Sequence, residues 1–238
     1  MSKRHYTLLY LYPYEMNTYG DWGNVQVLVQ RAQARGVTLR VHEHRPGNVL
    51  PKKFDLIFMG GGQDSGQSLI LEDLQAIGDK IRGAIEDNTP ALVICGGYQL
   101  FGHVFYTTDG GVMHGLGIFD LVTRASKERL IGNVHLQSDQ FGEVIGFENH
   151  SGRTELGSEM TPFGKVKVGA GNNGDDGGEG IVFRNAIGTY LHGPLLPKNP
   201  QVADWLLAKM LGVSNTELVQ LPDLFVAQAR AQAKRRPR

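Results

Sequence analysis

Residues 89–102, TPALVICGGYQLFG, constrain the fold more than any other stretch of the chain. The apolar run 91–94 lies between Pro90 and a glycine pair, which reads as a short buried strand. Tyr98, Leu100 and Phe101 then fall at spacings a helix can use. Cys95 sits between the two, followed by Gly96 and Gly97. Residues without Cβ let a chain leave a strand sharply and enter a helix. The same strand–turn–helix arrangement lifts a nucleophile clear of a sheet, near the positive end of a helix. An ordinary thiol, with a pKa of about 8.5, is only a few per cent thiolate at neutral pH. A helix N-terminus or a nearby imidazolium raises that fraction. A lone cysteine after an apolar strand is more often a small buried hydrophobe. The doubled glycine, and the fact that this is the only cysteine in the chain, favour the nucleophile.

Composition narrows the classes. A chain of 238 residues with 41% hydrophobic content can bury a sizeable core. Lysine plus arginine equals aspartate plus glutamate at 24 each, so no bulk charge points to nucleic acid or an acidic partner. One cysteine excludes an intrachain disulfide framework and a cysteine-cluster metal site, and it fits a reducing compartment. The start MSKRHYTLLYLYPYE is basic and then apolar, but Pro13 and Glu15 end the run early, which predicts a first strand rather than a signal peptide. No apolar run approaches a membrane span. The expectation is a soluble, cytoplasmic protein.

Strands are predicted at residues 6–12, 37–41, 54–59 and 91–94. Between them lie a helix from residue 25, capped by Asn24 and ended by Gly36, and a helix over 69–87. This alternation predicts an α/β fold with a mainly parallel central sheet flanked by helices. Loops at the carboxyl ends of such strands form the ligand crevice, and both Gly60–Gly62 and Cys95 occupy that position. From about residue 116 the chain becomes mainly strand, in short glycine-separated segments that either extend the sheet or form a second layer. The glycine-rich acidic run 169–180 reads as a hairpin tip. Residues 200–211 and the tail, with its basic end AKRRPR, read as helices.

The run Gly60-Gly61-Gly62 lacks the G-x-G-x-x-G spacing, and nothing matches a P-loop. Dinucleotide binding and ATP hydrolysis by this chain are therefore not expected. Three glycines after a strand can instead turn backbone N–H groups toward a developing oxyanion, although a plain tight turn explains them about as well. Among eight histidines, His192 stands out because it ends the apolar strand 186–191. A strand-end histidine beside a strand-end cysteine forms a nucleophile–base pair. His150, in FENHSGRT, is the rival base.

Together, the elbow ICGGYQLFG, the earlier strings MNTYGDWGN and GGGQD, and the later strings GFENHSGRT, GNN and GTYLHGPLLPKNP resemble the class I (triad-type) glutamine amidotransferases, in their cobyric-acid-synthase-like branch. The later strings are similar to glutaminase subunits that work beside a Mur-ligase-like, ATP-using subunit. The resemblance spans about residues 6–212. It implies a flavodoxin-like three-layer fold, a single domain over residues 1–212, a helical basic tail over 213–238, and a heterodimer. Cys95 would attack the side-chain amide of L-glutamine to give a thioester and ammonia, and His192 would activate the thiol and later a water. The amide of Gly96, with those of Gly61 and Gly62, would form the oxyanion hole. Arg129, in SKERLIGN, would bind the glutamine carboxylate, a task that suits a planar bidentate donor. The partner would use ATP to activate the α-carboxyl of D-glutamate in lipid II, and ammonia would convert it to D-isoglutamine in the peptidoglycan precursor. The resemblance implies no cofactor and no metal in this chain, with ATP and its metal on the partner. The complex would bring the chain to the inner membrane surface.

Two departures stand out. Many triad amidotransferases carry a small residue two before the cysteine, where this chain has Val93. They also carry His-x-Glu, where this chain has Pro194 in place of the glutamate. The expectation is that a carboxylate of the partner orients His192, the internal rivals being Asp21, Asp64 and Glu148. Two other functions compete: amidation of a different acceptor, such as a corrinoid precursor, and a non-catalytic regulatory role on the same fold.

Overall fold

The protein is described here from a computed structural model covering residues 5–235. The basic residues before His5 and the last three residues of the basic tail lie outside the described residues. Strands are numbered β1–β12 and helices α1–α5 in chain order.

The first sheet runs β11 (Ile181–Phe183), β12 (Ala186–Thr189), β4 (Ala91–Ile94), β3 (Leu56–Met59), β1 (His5–Leu11), β2 (Thr38–His44), and only the β11–β12 pair is antiparallel. β3 and β4 are buried along their whole length, which is why they read as unbroken apolar runs and not as alternating ones. Helix α1 (Trp22–Gln33) carries the chain from β1 outward to β2, and α2 (Asp64–Glu86) carries it from β3 the opposite way to β4. Right-handed crossovers then place the two helices on opposite faces. Accordingly, α1 packs with α4 (Pro200–Leu211), and α2 with α3 (Gly96–Phe101). The reversal of strand order falls between β1 and β3, where a crevice opens at the carboxyl ends of the strands.

The later half does both things expected of it. β11 and β12 extend the first sheet, while a second sheet is built in the order β10 (Gly178–Glu179), β9 (Gly164–Val168), β7 (Leu121–Ser138), β5 (Val104–Tyr106), β6 (Val112–His114), with β8 (Gly142–Leu156) paired to β7. The segments expected between residues 116 and 156 are in fact two long antiparallel strands of 18 and 15 residues, whereas β9, β11 and β12 are short, as expected. Gly132, Gly146 and Gly152 lie inside these strands and do not break them. At Gly146 the reason is a close approach: a Cβ there would lie 2.7 Å from Cβ of Leu191. The ribbon thus crosses the segment that ends in His192, and Phe147 and His192 exchange backbone hydrogen bonds.

Two boundaries differ from expectation. Helix α1 begins at Trp22, whose N–H is taken by the side chain of Asn17. Asn24 is not its cap; it is buried in the first turn and accepts the N–H of Leu196 through Oδ1 at 2.8 Å. Helix α2 starts at Asp64, one turn and more before the apolar periodicity that betrayed it. The run 169–180 is the β9–β10 connection, held by N–H bonds from Ala170 and Gly171 to the buried carboxylate of Glu148. Helix α5 (Val226–Lys234) lies on the body through Arg230, which reaches Glu143 and the carbonyl of Lys198. Upstream of it, Asp223 bonds Arg31 of α1. Among the described residues, no helix is long and apolar enough to cross a membrane.

Candidate active site

Four carboxyl-terminal strand ends meet at one cleft of about 700 Å³, lined by Cys95, Gly62, Arg129 and His192 among others. β4 delivers Cys95, β3 delivers the glycine run, and the loop after β12 delivers His192. The loop after β1, next to β3 at the reversal of strand order, delivers Tyr19 and Asp21.

Cys95 has φ 49° and ψ −103°, a conformation strained for a residue with a Cβ. It is fixed by its N–H bond to the carbonyl of Thr189 at 2.8 Å, which ties the elbow to β12. Strain held in place by surrounding sheet is expected at a nucleophile elbow. Val93, two residues earlier, is fully buried and opposes Gly188 across the β4–β12 pair.

His192 is buried, with its backbone pinned to Phe147 and its ring edge-on to Tyr19 at 5.1 Å. Its Nδ1 lies 3.1 and 3.2 Å from the two carboxylate oxygens of Asp21. Asp21, also fully buried, is held in turn by the N–H of Gly61 at 2.8 Å. Donation of the Nδ1 proton to Asp21 leaves Nε2 toward the thiol; Nε2 itself has no hydrogen bond of good geometry. Burial alone would lower the imidazole pKa, but Asp21 and a nearby Cys95 thiolate outweigh it and push the value up to about 10. The arrangement favours an imidazolium at His192. An internal carboxylate thus lies within hydrogen-bond reach of the His192 ring, where one from a partner was expected. Pro194 leaves no room for an acid two residues after the histidine, but β1 supplies one from the other side. Of the other two internal candidates, Asp64 begins α2 and lines the cleft, and Glu148 bonds the 169–180 loop.

The glycine run divides its work. At Gly61 a Cβ would lie 2.5 Å from Cε1 of His192 and 3.1 Å from Cβ of Cys95, so only glycine fits between base and nucleophile. Its N–H is already given to Asp21, which removes Gly61 from the expected oxyanion hole. Gly62 and Gly96 remain and are adjacent: a Cβ on Gly96 would sit 3.0 Å from the Gly62 nitrogen.

Arg129 lies in the same cleft, its Nε bonded to Oδ1 of Asn149 at 2.8 Å and its Nη2 to the Asn149 carbonyl at 3.0 Å. His150 also lines the cleft, with its ring stacked on Tyr190, whereas His192 is the histidine that Cys95 and a carboxylate both flank. Sequence reasoning missed Tyr19, Gln67, Gln99 and Asn149, all of which line the cleft. Gln99 lies within the elbow string and Asn149 within FENHSG, yet no spacing marks either as facing the nucleophile.

Comparison with known proteins agrees with this geometry. Residues 7–200 match the family described as CobB/CobQ-like glutamine amidotransferase domain. The chain is 39% identical over 233 residues to the lipid II isoglutaminyl synthase (glutamine-hydrolyzing) subunit GatD of Staphylococcus aureus, covering 93% of this chain and 95% of that one. It is 37% identical to the subunit of the same name in Streptococcus pneumoniae, covering 90% and 84%. A probable cobyric acid synthase of Methanoregula boonei is 33% identical over 65% of this chain, but over only 32% of its own length. Among solved structures, a glutamine amidotransferase superposes with a TM-score of 0.60 at 15% identity, covering 86% of this chain and 99% of that one, which speaks for the fold alone. With an elbow cysteine, a buried histidine–aspartate pair and a family match over most of its length, the chain belongs to the CobB/CobQ-like glutamine amidotransferases.

Proposed function

We propose that this chain is the glutaminase subunit of a lipid II isoglutaminyl synthase. It hydrolyses L-glutamine at Cys95 and passes ammonia to a Mur-ligase-like, ATP-using partner. In this reading the Cys95 thiolate attacks the glutamine side-chain carbonyl, and the N–H groups of Gly62 and Gly96 receive the developing oxyanion. The His192 imidazolium gives its proton to the departing nitrogen, so ammonia leaves and a thioester remains. Neutral His192 then takes a proton from water, and the hydroxide attacks the thioester. Glutamate departs as the thiolate–imidazolium pair re-forms. Asp21 holds the ring in the tautomer that both steps need. Arg129 grips the substrate carboxylate. The partner activates the α-carboxyl of D-glutamate in lipid II with ATP and its metal, and ammonia converts it to D-isoglutamine. This chain needs no cofactor of its own. It would act in the cytoplasm, meeting the inner membrane surface through the complex.

The observation that carries this reading is the strained Cys95 elbow beside the buried His192–Asp21 pair in a cleft that also holds Arg129. Near-complete mutual coverage of the GatD subunits favours lipid II over a corrinoid acceptor, because the cobyric acid synthases are matched over only a third of their length. The test is ammonia release from glutamine by the purified chain, alone and with a Mur-ligase-like partner. Cys95→Ser should abolish release and labelling by a glutamine-like diazo ketone while leaving the circular dichroism spectrum unchanged. Ammonia release at the wild-type rate by the serine variant would overturn the assignment, and release by neither protein would favour a regulatory role.

A further inference from the structure

A glutamine held by Arg129 through its carboxylate also brings an α-ammonium into the cleft. Three N–H groups leaving water need acceptors, and a charge needs compensation. Resting on the glutaminase reading above, the geometry points to His150 Nε2, backed by Glu148, as the acceptor that recognises this ammonium and selects α-amino acids over simple amides.

His150 is 2% exposed, and its Nδ1 lies 2.8 Å from the carbonyl of Gly152. At that distance from an acceptor, Nδ1 carries the proton and Nε2 presents a lone pair. Nε2 is buried and has no hydrogen-bond partner, an expensive state for a group that no ligand ever meets. The ring cannot turn to find one, because it lies flat on Tyr190, 3.6 Å between centroids and 7° from parallel. Burial holds the His150 pKa below its ordinary 6.5, so the ring stays neutral and accepting at neutral pH.

The chemistry behind the ring selects a cation over a neutral amide. Oε2 of Glu148 lies 3.9 Å from Nε2, too far for a direct hydrogen bond. Burial alone would raise the Glu148 pKa, but the hydrogen bonds it accepts, those of the Gly171 and Ala170 N–H groups among them, outweigh it, and the carboxylate stays ionised. A buried negative charge thus stands 3.9 Å from the neutral acceptor of a cleft-lining residue. Gln67 adds a second acceptor: its Nε2 is committed to the Gly62 carbonyl and to Oε1 of Gln99, which leaves its buried Oε1 without a partner. Placement fits as well. His150 pairs across the ribbon with Leu130, next in sequence to Arg129, and Arg129 bonds the carbonyl of Asn149. The carboxylate clamp and the ammonium acceptor are neighbours, as the two groups are on one carbon of the substrate.

The test compares L-glutamine with 4-carbamoylbutanoate, which has the same amide and carboxylate but no ammonium. Wild-type protein should favour glutamine in kcat/KM by on the order of a thousandfold or more, as sites built to bind a polar group reject analogues without it. His150→Phe keeps a flat ring on Tyr190. It should lower kcat/KM for glutamine by on the order of 10–100-fold and leave that for the analogue within about threefold, chiefly through KM. Equal losses on both substrates would make His150 a packing residue, and no loss on either would remove it from the site; each outcome overturns the inference. A second measurement does not depend on that variant folding. In Cys95→Ser protein labelled with ¹⁵N-histidine, glutamine should shift the His150 Nε2 resonance toward a hydrogen-bonded value and the analogue should not; an unmoved resonance with saturating glutamine overturns the inference. Should wild-type protein release no ammonia from glutamine, the glutaminase reading itself fails, and this inference with it.

Discussion

Asp21 shows how one side chain can complete a site from an unexpected direction. It accepts from Gly61 N–H and from His192 Nδ1, so a single buried carboxylate fixes both the glycine turn and the base. Asp21→Asn keeps the size but gives His192 the wrong hydrogen-bond partner. Turnover should fall on the order of 10³–10⁴-fold, with a smaller change in KM. The same substitution should alter stability in a pH-dependent way. His192 has a folded pKa raised to about 10, above its unfolded value near 6.5. Its contribution is therefore full below about pH 6.5 and is lost as pH rises toward 10. Urea unfolding should find Asp21→Asn weaker than wild type by about 2–4 kcal/mol at pH 6, with the gap closing by pH 10. A gap independent of pH would mean that Asp21 acts on stability through Gly61 and not through the imidazole.

At the scale of elements, the two sheets are joined by a buried acid outside the cleft. Glu179 ends β10 in the second sheet, and its Oε1 accepts from the hydroxyl of Thr189 and the N–H of Tyr190, at the end of β12 in the first. Burial is the main influence on it and raises its pKa from 4.5 to about 7 despite those bonds, while its Oε2 has no partner. An acid whose folded pKa is raised holds its proton in the native state longer than in the unfolded chain. Stability attributable to Glu179 is thus complete below about pH 4.5, declines as pH rises to 7, and is constant above. Glu179→Gln mimics the protonated form and should remove that decline. Relative to wild type it should gain about 3 kcal/mol between pH 5 and pH 8, read by urea unfolding at both. Parallel pH profiles for the two proteins would mean that another group carries the dependence.

For the whole molecule, Cys95, His192 and Asp21 meet within one chain. On the proposed glutaminase reading, the chain should therefore hydrolyse glutamine by itself, and adding the proposed partner should not restore Asp21→Asn. Recovery of that variant to within about tenfold of the wild-type complex would show that a carboxylate arrives across the interface after all. Any acceleration of the wild type by the partner should then reflect ammonia transfer or closure of the cleft, visible as a change in coupling between ammonia released and amide formed.

Local pattern and backbone sterics by themselves determined the elbow and the parallel strands. Ala91–Ile94 followed by Cys95-Gly96-Gly97 can be read in isolation, because a buried strand must be apolar and a sharp exit needs glycine. His192 stands out after an apolar run, although β12 itself stops at Thr189, and α4 reads as an apolar stripe after Pro200. Which acid faces His192 was not local information. Asp21, Asp64 and Glu148 sit in a loop, at a helix start and in a strand respectively, and only the order β4-β3-β1 brings the loop after β1 to the imidazole. The split of the glycine run has the same origin, since Gly61 gives its N–H to Asp21 and packs against His192 and Cys95, while Gly62 packs against Met16. Likewise, the glycines of the later half look like strand breaks in sequence. Gly146 is a glycine because Leu191 passes over it, a contact between residues 45 apart that no local pattern records. Hydrogen bonds and close approaches between distant segments form only once the sheets have packed, and they decided the site's finer chemistry.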